Sequence, residues 1–218
     1  MAIWLLHLRF LIDMVFLERM GSAVCHQMAE RSLLFNGMQM PLCARCTGIY
    51  IGAFFAFCFF FLKKRMQAGN SFTMIQAILT GLAILPVGID GVGSYLGFWE
   101  SSQLMRMFSG SLVGAIVPGF LLLAGNYDPM KENEQPIYEN KAELICLMLV
   151  SVCFGLFLLT AESFRRVGIV LSIFGEVLLW GGLIWLILKN LAKEKKILYW
   201  KISLAISFLG LFVIGGLV

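Results

Sequence analysis

Charge is scarce in this sequence. Of its 218 residues only 14% are Asp, Glu, Lys or Arg, while 60% are hydrophobic, against roughly 45–50% apolar and about 25% charged in soluble domains. A soluble globule is excluded at this composition, and so is a disordered regulator, which needs low hydrophobicity. Cysteine is also too sparse, at 6 in this length, for a small disulfide-stapled secreted domain. No polar domain gathers the basic residues and the net charge of +4 is small, so nucleic acid is not an expected partner. Internal repeats and low-complexity stretches are lacking. The expected surroundings are a lipid bilayer.

What is present is a series of apolar runs bounded by charge, each near the ~20 residues that cross the hydrocarbon core. Six are plain: Thr47–Leu62, Phe72–Trp99, Leu104–Gly125, Ala142–Ala161, Val167–Leu188 and Ile197–Val218. The stretch Ile3–Met20 is apolar too but carries His7, Arg9, Asp13, Glu18 and Arg19, and Arg9 and Asp13 are spaced to pair on one helical face. It reads either as a seventh spanning helix with a polar seam or as an amphipathic helix in the interface. A cleaved secretory signal is not expected, because charges interrupt the run, no basic leader precedes it, and Val24 is bulky for a processing site. The expected fold is all-α, a polytopic transmembrane helix bundle of 6–7 spanning helices in a single integral membrane domain, 1–218. Its parts are an N-terminal membrane or interfacial helix (1–20), a polar Cys/His segment (21–46), a first group of helices (47–125) and C-terminal helices (142–218). Phe72–Trp99 is too long for one straight crossing, and Pro86 with Gly88, Gly91 and Gly93 predicts a kink or break near Pro86–Gly93. The glycine pairs Gly48/Gly52, Gly93/Gly97 and Gly110/Gly114 are spaced to let helices approach closely.

Cytoplasmic loops concentrate Lys and Arg. Lys63-Lys64-Arg65 and the cluster Lys189, Lys193, Lys195 and Lys196 fall on one side of an alternating topology, together with the polar 126–141 loop. The chain is therefore expected to be a multi-pass cell-membrane protein with residues 21–46, the connection around Glu100–Gln103 and the turn Glu162–Arg166 on the extracytoplasmic side.

That outer segment carries the chemistry. Cys25-His26 is followed by Cys43 and Cys46, whose two-residue spacing lets both sulfurs converge on one ion, and Cys25 with His26 completes a three-sulfur, one-nitrogen set. Zinc is the first choice of metal. Copper(I) is a lesser one, suggested by Met28, Met38 and Met40 nearby. The competing reading is thiol–disulfide exchange through Cys43 and Cys46 with Cys25 as a relay, since Arg45 and His26 would favour a thiolate. Cys58, Cys146 and Cys153 lie in hydrophobic runs and read as core packing.

The pattern Cys25-His26-Gln27, Glu30-Arg31-Ser32 and Pro41-Leu42-Cys43-Ala44-Arg45-Cys46-Thr47-Gly48-Ile49-Tyr50 resembles the signature of a bacterial and archaeal integral membrane family known only as a domain of unknown function. The resemblance continues more loosely through Asp90-Gly91, Ser101, Arg106 and Gly110, with Gly93-Ser94 in place of a Thr-Gln pair, and covers roughly Cys25–Gly119. It singles out residues without implying a reaction.

Ionisable groups at membrane depth are functional candidates because they are costly to keep there. Asp90 and Arg106 fall near the outer ends of neighbouring spans and are placed to form an ion pair, whereas Glu176 lies mid-span without an evident partner. With Arg31 and Arg45 these are the candidate substrate-binding residues, for an anionic or lipid-linked small molecule. Asp90, Arg106 and His26 are the candidates for catalysis. The functional classes left open are binding or transport beside a structural metal, a metal-dependent membrane enzyme, and a thiol–disulfide oxidoreductase using a membrane quinone. Association of copies with one another also stays open.

Overall fold

The computed structural model describes residues 15–35, 37–130, 132–192 and 197–217. In chain order these form helix α1 (15–22), strands β1 (Ser32–Phe35) and β2 (Met38–Cys43), and helices α2 (Ala44–Leu62), α3 (Met74–Tyr95), α4 (Gln103–Asn126), α5 (Lys141–Thr160), α6 (Arg165–Ala192) and α7 (Ile197–Gly215). Local chemistry sets the starts. The hydroxyl of Thr73 accepts from the Gln76 amide while the Gln76 side chain accepts from the Thr73 amide, closing a capping box on α3. Ser102 caps α4 by accepting from Met105 N at 3.2 Å, and Asn140 caps α5 by accepting from Glu143 N at 2.9 Å.

The expected helical bundle is what forms. Among the described residues five helices are long and apolar enough to cross a bilayer, namely α2, α3, α4, α5 and the run Glu162–Leu191 that contains α6. The last apolar run is the shorter helix Tyr199–Gly215. The Arg9–Asp13 pair, most of Ile3–Met20, and Lys193, Lys195 and Lys196 lie outside the described residues.

Helix α2 is the axis of the bundle, packed most extensively on α4 and next on α6. The glycines permit this. A Cβ on Gly48 would fall 2.6 Å from the Met107 carbonyl oxygen and one on Gly52 2.6 Å from that of Ser111, while Gly110 and Gly114 of α4 meet the carbonyls of Arg45 and Ile49 in the same way. Two small-residue pairs thus interlock backbone to backbone. The third pair behaves differently. Gly93 makes room for the Trp99 indole, and Gly97 has φ +77° in the turn after α3.

Helix α3 runs unbroken through Pro86. The excess length of Phe72–Trp99 lies instead at its ends, in the cap at Thr73 and the turn beyond Tyr95. Helix α3 is peripheral, and Met74, Ile78, Leu82, Leu85 and Ile89 are exposed along it, an apolar surface suited to acyl chains. The main core, with Phe60, Ile116, Leu122, Tyr138, Leu144 and Trp185, lies nearer the other end of α2.

Two ends result. At one, Arg65 pairs with Glu143 at 2.6 Å and Glu139 at 2.5 Å, and Asn126 donates to the Met66 and Ala68 carbonyls at 3.0 and 3.1 Å. Lys189 donates to Asn126 there at 2.6 Å. The described residues Lys63, Arg65 and Lys189 of the expected lysine-rich side thus share this end. At the opposite end the sequence reading missed an antiparallel β-hairpin, in which Leu34 pairs with Gln39 and Phe35 with Met38. Arg165 ties it to the bundle, donating to the carbonyls of Leu158 (3.0 Å), Leu159 (2.8 Å) and Leu34.

Candidate functional site

The hairpin end is assembled by hydrogen bonds from side chains of the Cys/His segment. Gln27, with φ +47°, turns the chain after α1, and its amide donates to the carbonyls of Glu18 and Pro41, both at 2.9 Å. Gln39 donates to the Gln27 carbonyl and to Ser32 Oγ, and Ser32 donates to the Met28 carbonyl at 3.0 Å. A Cβ on Gly21 would lie 2.5 Å from the Pro41 carbonyl oxygen, so α1 and β2 touch through backbone. These bonds hold Cys25 beside the end of β2.

Cys43 closes β2 and is the N-cap residue of α2, so Cys46 follows in the first helical turn. The amide of Cys43 donates to Cys25 Sγ at 3.3 Å. The three sulfurs of Cys25, Cys43 and Cys46 lie within 4.8 Å of one another, and all three cysteines are free. Hydrogen bonds from the Cys25 and Cys46 thiols, with backbone amides of the helix start, hold the Cys43 thiol well below its ordinary value against the opposing effect of burial. Cys25 moves the other way, chiefly because its proton is engaged by Cys43, and burial adds to this. Sulfurs bound to one zinc at about 2.3 Å sit roughly 3.8 Å apart, so the donor set fits three corners of a tetrahedron.

His26 does not join them. It is exposed and stands outside the sulfur group, because side chains on adjacent residues leave the backbone in diverging directions. The expected set of four therefore contracts to three sulfurs in this arrangement.

The ion pair is also differently made. Asp90, at 1% exposure, pairs with Arg45 rather than Arg106, since the first turn of α2 reaches across to α3. Arg45 Nε and Asp90 Oδ1 remain buried without partners. Arg106 is 7% exposed and makes no ion pair among the described residues. Arg31 and Arg45 repel it, while Asp90 and Cys43 attract it. Arg45 and Arg106 thus both face the one carboxylate of Asp90, with Arg31 adding further positive charge at Arg106.

The sequence reading missed a cavity of about 230 Å³ on the other side of Asp90, lined by Asp90, Trp99, Glu100, Ser101, Ser102 and Met105. Its lining includes two carboxylates and none of the three arginines. Glu176 stands apart from this site, fully buried in α6. Cys146 and Cys153 lie exposed on α5 and Cys58 is half-buried, so the two on α5 do not pack in the core as expected.

Residues 25–120 match the family described as Predicted membrane protein (DUF2085). An uncharacterised protein of Methanothermobacter thermautotrophicus is 36% identical over 91 residues, covering 42% of this chain and 78% of that protein. The chain belongs to this family. A second relative, an uncharacterised protein of Methanocaldococcus jannaschii, is 33% identical over 104 residues, covering 46% of this chain and 63% of its own length, so less than two thirds of it is spanned. No solved structure matches the chain. The matched stretch opens at Cys25 and takes in all three sulfurs, Arg45, Asp90 and Arg106, but not Glu176.

Proposed function

We propose that this family member holds a metal ion, zinc by preference, on Cys25, Cys43 and Cys46 at the extracytoplasmic end of its bundle, and binds an anionic or lipid-linked small molecule beside it. The observation that carries the reading is the convergence of three free thiols from separate parts of the chain within 4.8 Å. Arg106, buried without an ion pair and flanked by Arg31 and Arg45, supplies the anion site. Three protein donors leave a fourth corner for His26 after a local movement, for water, or for the bound molecule itself. Water at that corner is what a metal-dependent hydrolase would need, with Asp90 the nearest base. Lys63, Lys64, Arg65 and Lys189 at the opposite end support the orientation.

Elemental analysis of the purified full chain tests it. One zinc per chain, lost in Cys43→Ser, supports the reading, and a metal-free protein overturns it. For the anion site, Arg106→Gln should weaken binding of inorganic phosphate or of vesicles containing anionic phospholipid by roughly tenfold, the value of one charge-assisted hydrogen bond. The thiolate held on Cys43 favours a second reading, thiol–disulfide exchange. A Cys43–Cys46 disulfide forming on quinone addition, in protein that takes up no zinc, would select that alternative.

A further inference from the structure

Glu176 is the ionisable group that the sulfur and arginine site leaves unused. Its exposure is 0%, and among the described residues neither carboxylate oxygen has a hydrogen-bond partner. A charged carboxylate in that position would have neither water nor a counter-ion. A neutral acid needs no counter-ion and loses far less on burial than a charged one, so this position favours the protonated form.

The surroundings suit a neutral acid that can change state. Helix α2 contributes Tyr50, which lies in the field of Glu176, with Cys46 and Cys25 acting on the same hydroxyl from the sulfur end. The close approach of Gly175 to the Tyr50 carbonyl brings the two helices together here. On α6 itself Ser172, one turn earlier, is buried and donates to the Ile169 carbonyl at 2.8 Å. From α7, Ser207 donates to the Val177 carbonyl at 3.0 Å and Ser203 to that of Trp200 at 2.8 Å, and both are buried. Each of these serine protons is thus committed to a backbone carbonyl, and none is available to stabilise a carboxylate. The remaining charges of these elements are elsewhere: Arg165, Arg166 and Lys189 sit toward the ends of α6, Lys201 is exposed on α7, and Arg106 of α4 belongs to the other site.

We propose that Glu176 is a membrane-embedded proton-binding site, a carboxyl that takes up and releases one proton within the interface of α2, α6 and α7. It is separate from the metal reading, since the residue lies outside the family match.

Infrared spectroscopy of the full chain in lipid bilayers tests this. The expected result is a protonated-acid carbonyl band at neutral pH that shifts in D2O, is lost reversibly as pH is raised, and is missing from E176Q. A wild-type spectrum without an acid band relative to E176Q overturns the proposal. So does a band that neither exchanges nor titrates while the protein stays folded, because that is a fixed structural acid. Should E176Q fail to accumulate, E176D keeps the acid and must displace the band, and an unmoved band overturns the assignment. Chelation of any bound metal leaves the band in place, so failure here and failure of the zinc reading are told apart.

Discussion

Cys43 belongs to two elements at once, ending β2 and capping α2, and that double position brings its sulfur to Cys25 and Cys46. Metal binding to three such thiols requires them to lose protons, so affinity should rise with pH and fall on acidification. Competition against a chromogenic chelator across a pH series checks the sign, and an affinity independent of pH would count against thiolate ligation. Asp90 is the second residue on which the site turns. It is the carboxylate that Arg45 pairs with and that attracts Arg106. Asp90→Asn leaves three mutually repelling guanidinium groups and should cost about 3 kcal/mol, as for a buried pair broken from one side. Arg45→Met should cost less, because Arg106 already lies in the field of Asp90 and can take over the pairing. Thermal unfolding in detergent ranks the two, and the reverse order would show that Arg106 cannot substitute. These candidates were legible as residue types at suggestive spacing. Their pairing was not, because helix spacing along a sequence does not say which neighbour a long arginine side chain will reach.

At the scale of elements, the helices were readable from apolar run lengths, and the hairpin was missed although its signal was present. Asn36-Gly37 stands between Leu33-Leu34-Phe35 and Met38-Gln39-Met40, the usual short-turn cue, and Gly37 adopts φ +76°. Hydrophobicity alone hid it, since these runs are too short to span a membrane. At Pro86 the expected break does not occur, and α3, packed chiefly against α4, continues through it. The interlocked glycines yield a sharp contrast. Gly114→Leu must push α2 and α4 apart, at about 3 kcal/mol for backbone against backbone. Gly81→Ala on α3, where an added Cβ meets nothing within 4 Å, should stabilise by about 0.5–1 kcal/mol through helix propensity. Unfolding midpoints of both variants measure this, and equal effects would mean that the α2–α4 contact is loose.

Across the whole molecule the two ends have different work. The end with Arg65, Glu139 and Glu143 is a buried electrostatic clasp that joins α2 to α5 and the loop before it, with burial opposing and the two carboxylates favouring the charge on Arg65. Arg65→Ala should cost about 3 kcal/mol and speed proteolysis between residues 126 and 140. The metal content of the sulfur end should be unchanged. Loss of metal in this variant would show that the ends are coupled through α2.

The sequence by itself determined the solvent of this protein, the helical class and the residues able to do chemistry, because each follows from local composition and spacing. Only the tertiary structure decided that three sulfurs converge without His26, that Asp90 belongs to Arg45, and that Glu176 has no partner among the described residues. Those outcomes depend on how closely helices pack and which side chains then meet, and contact distances of that kind arise between segments far apart in the chain.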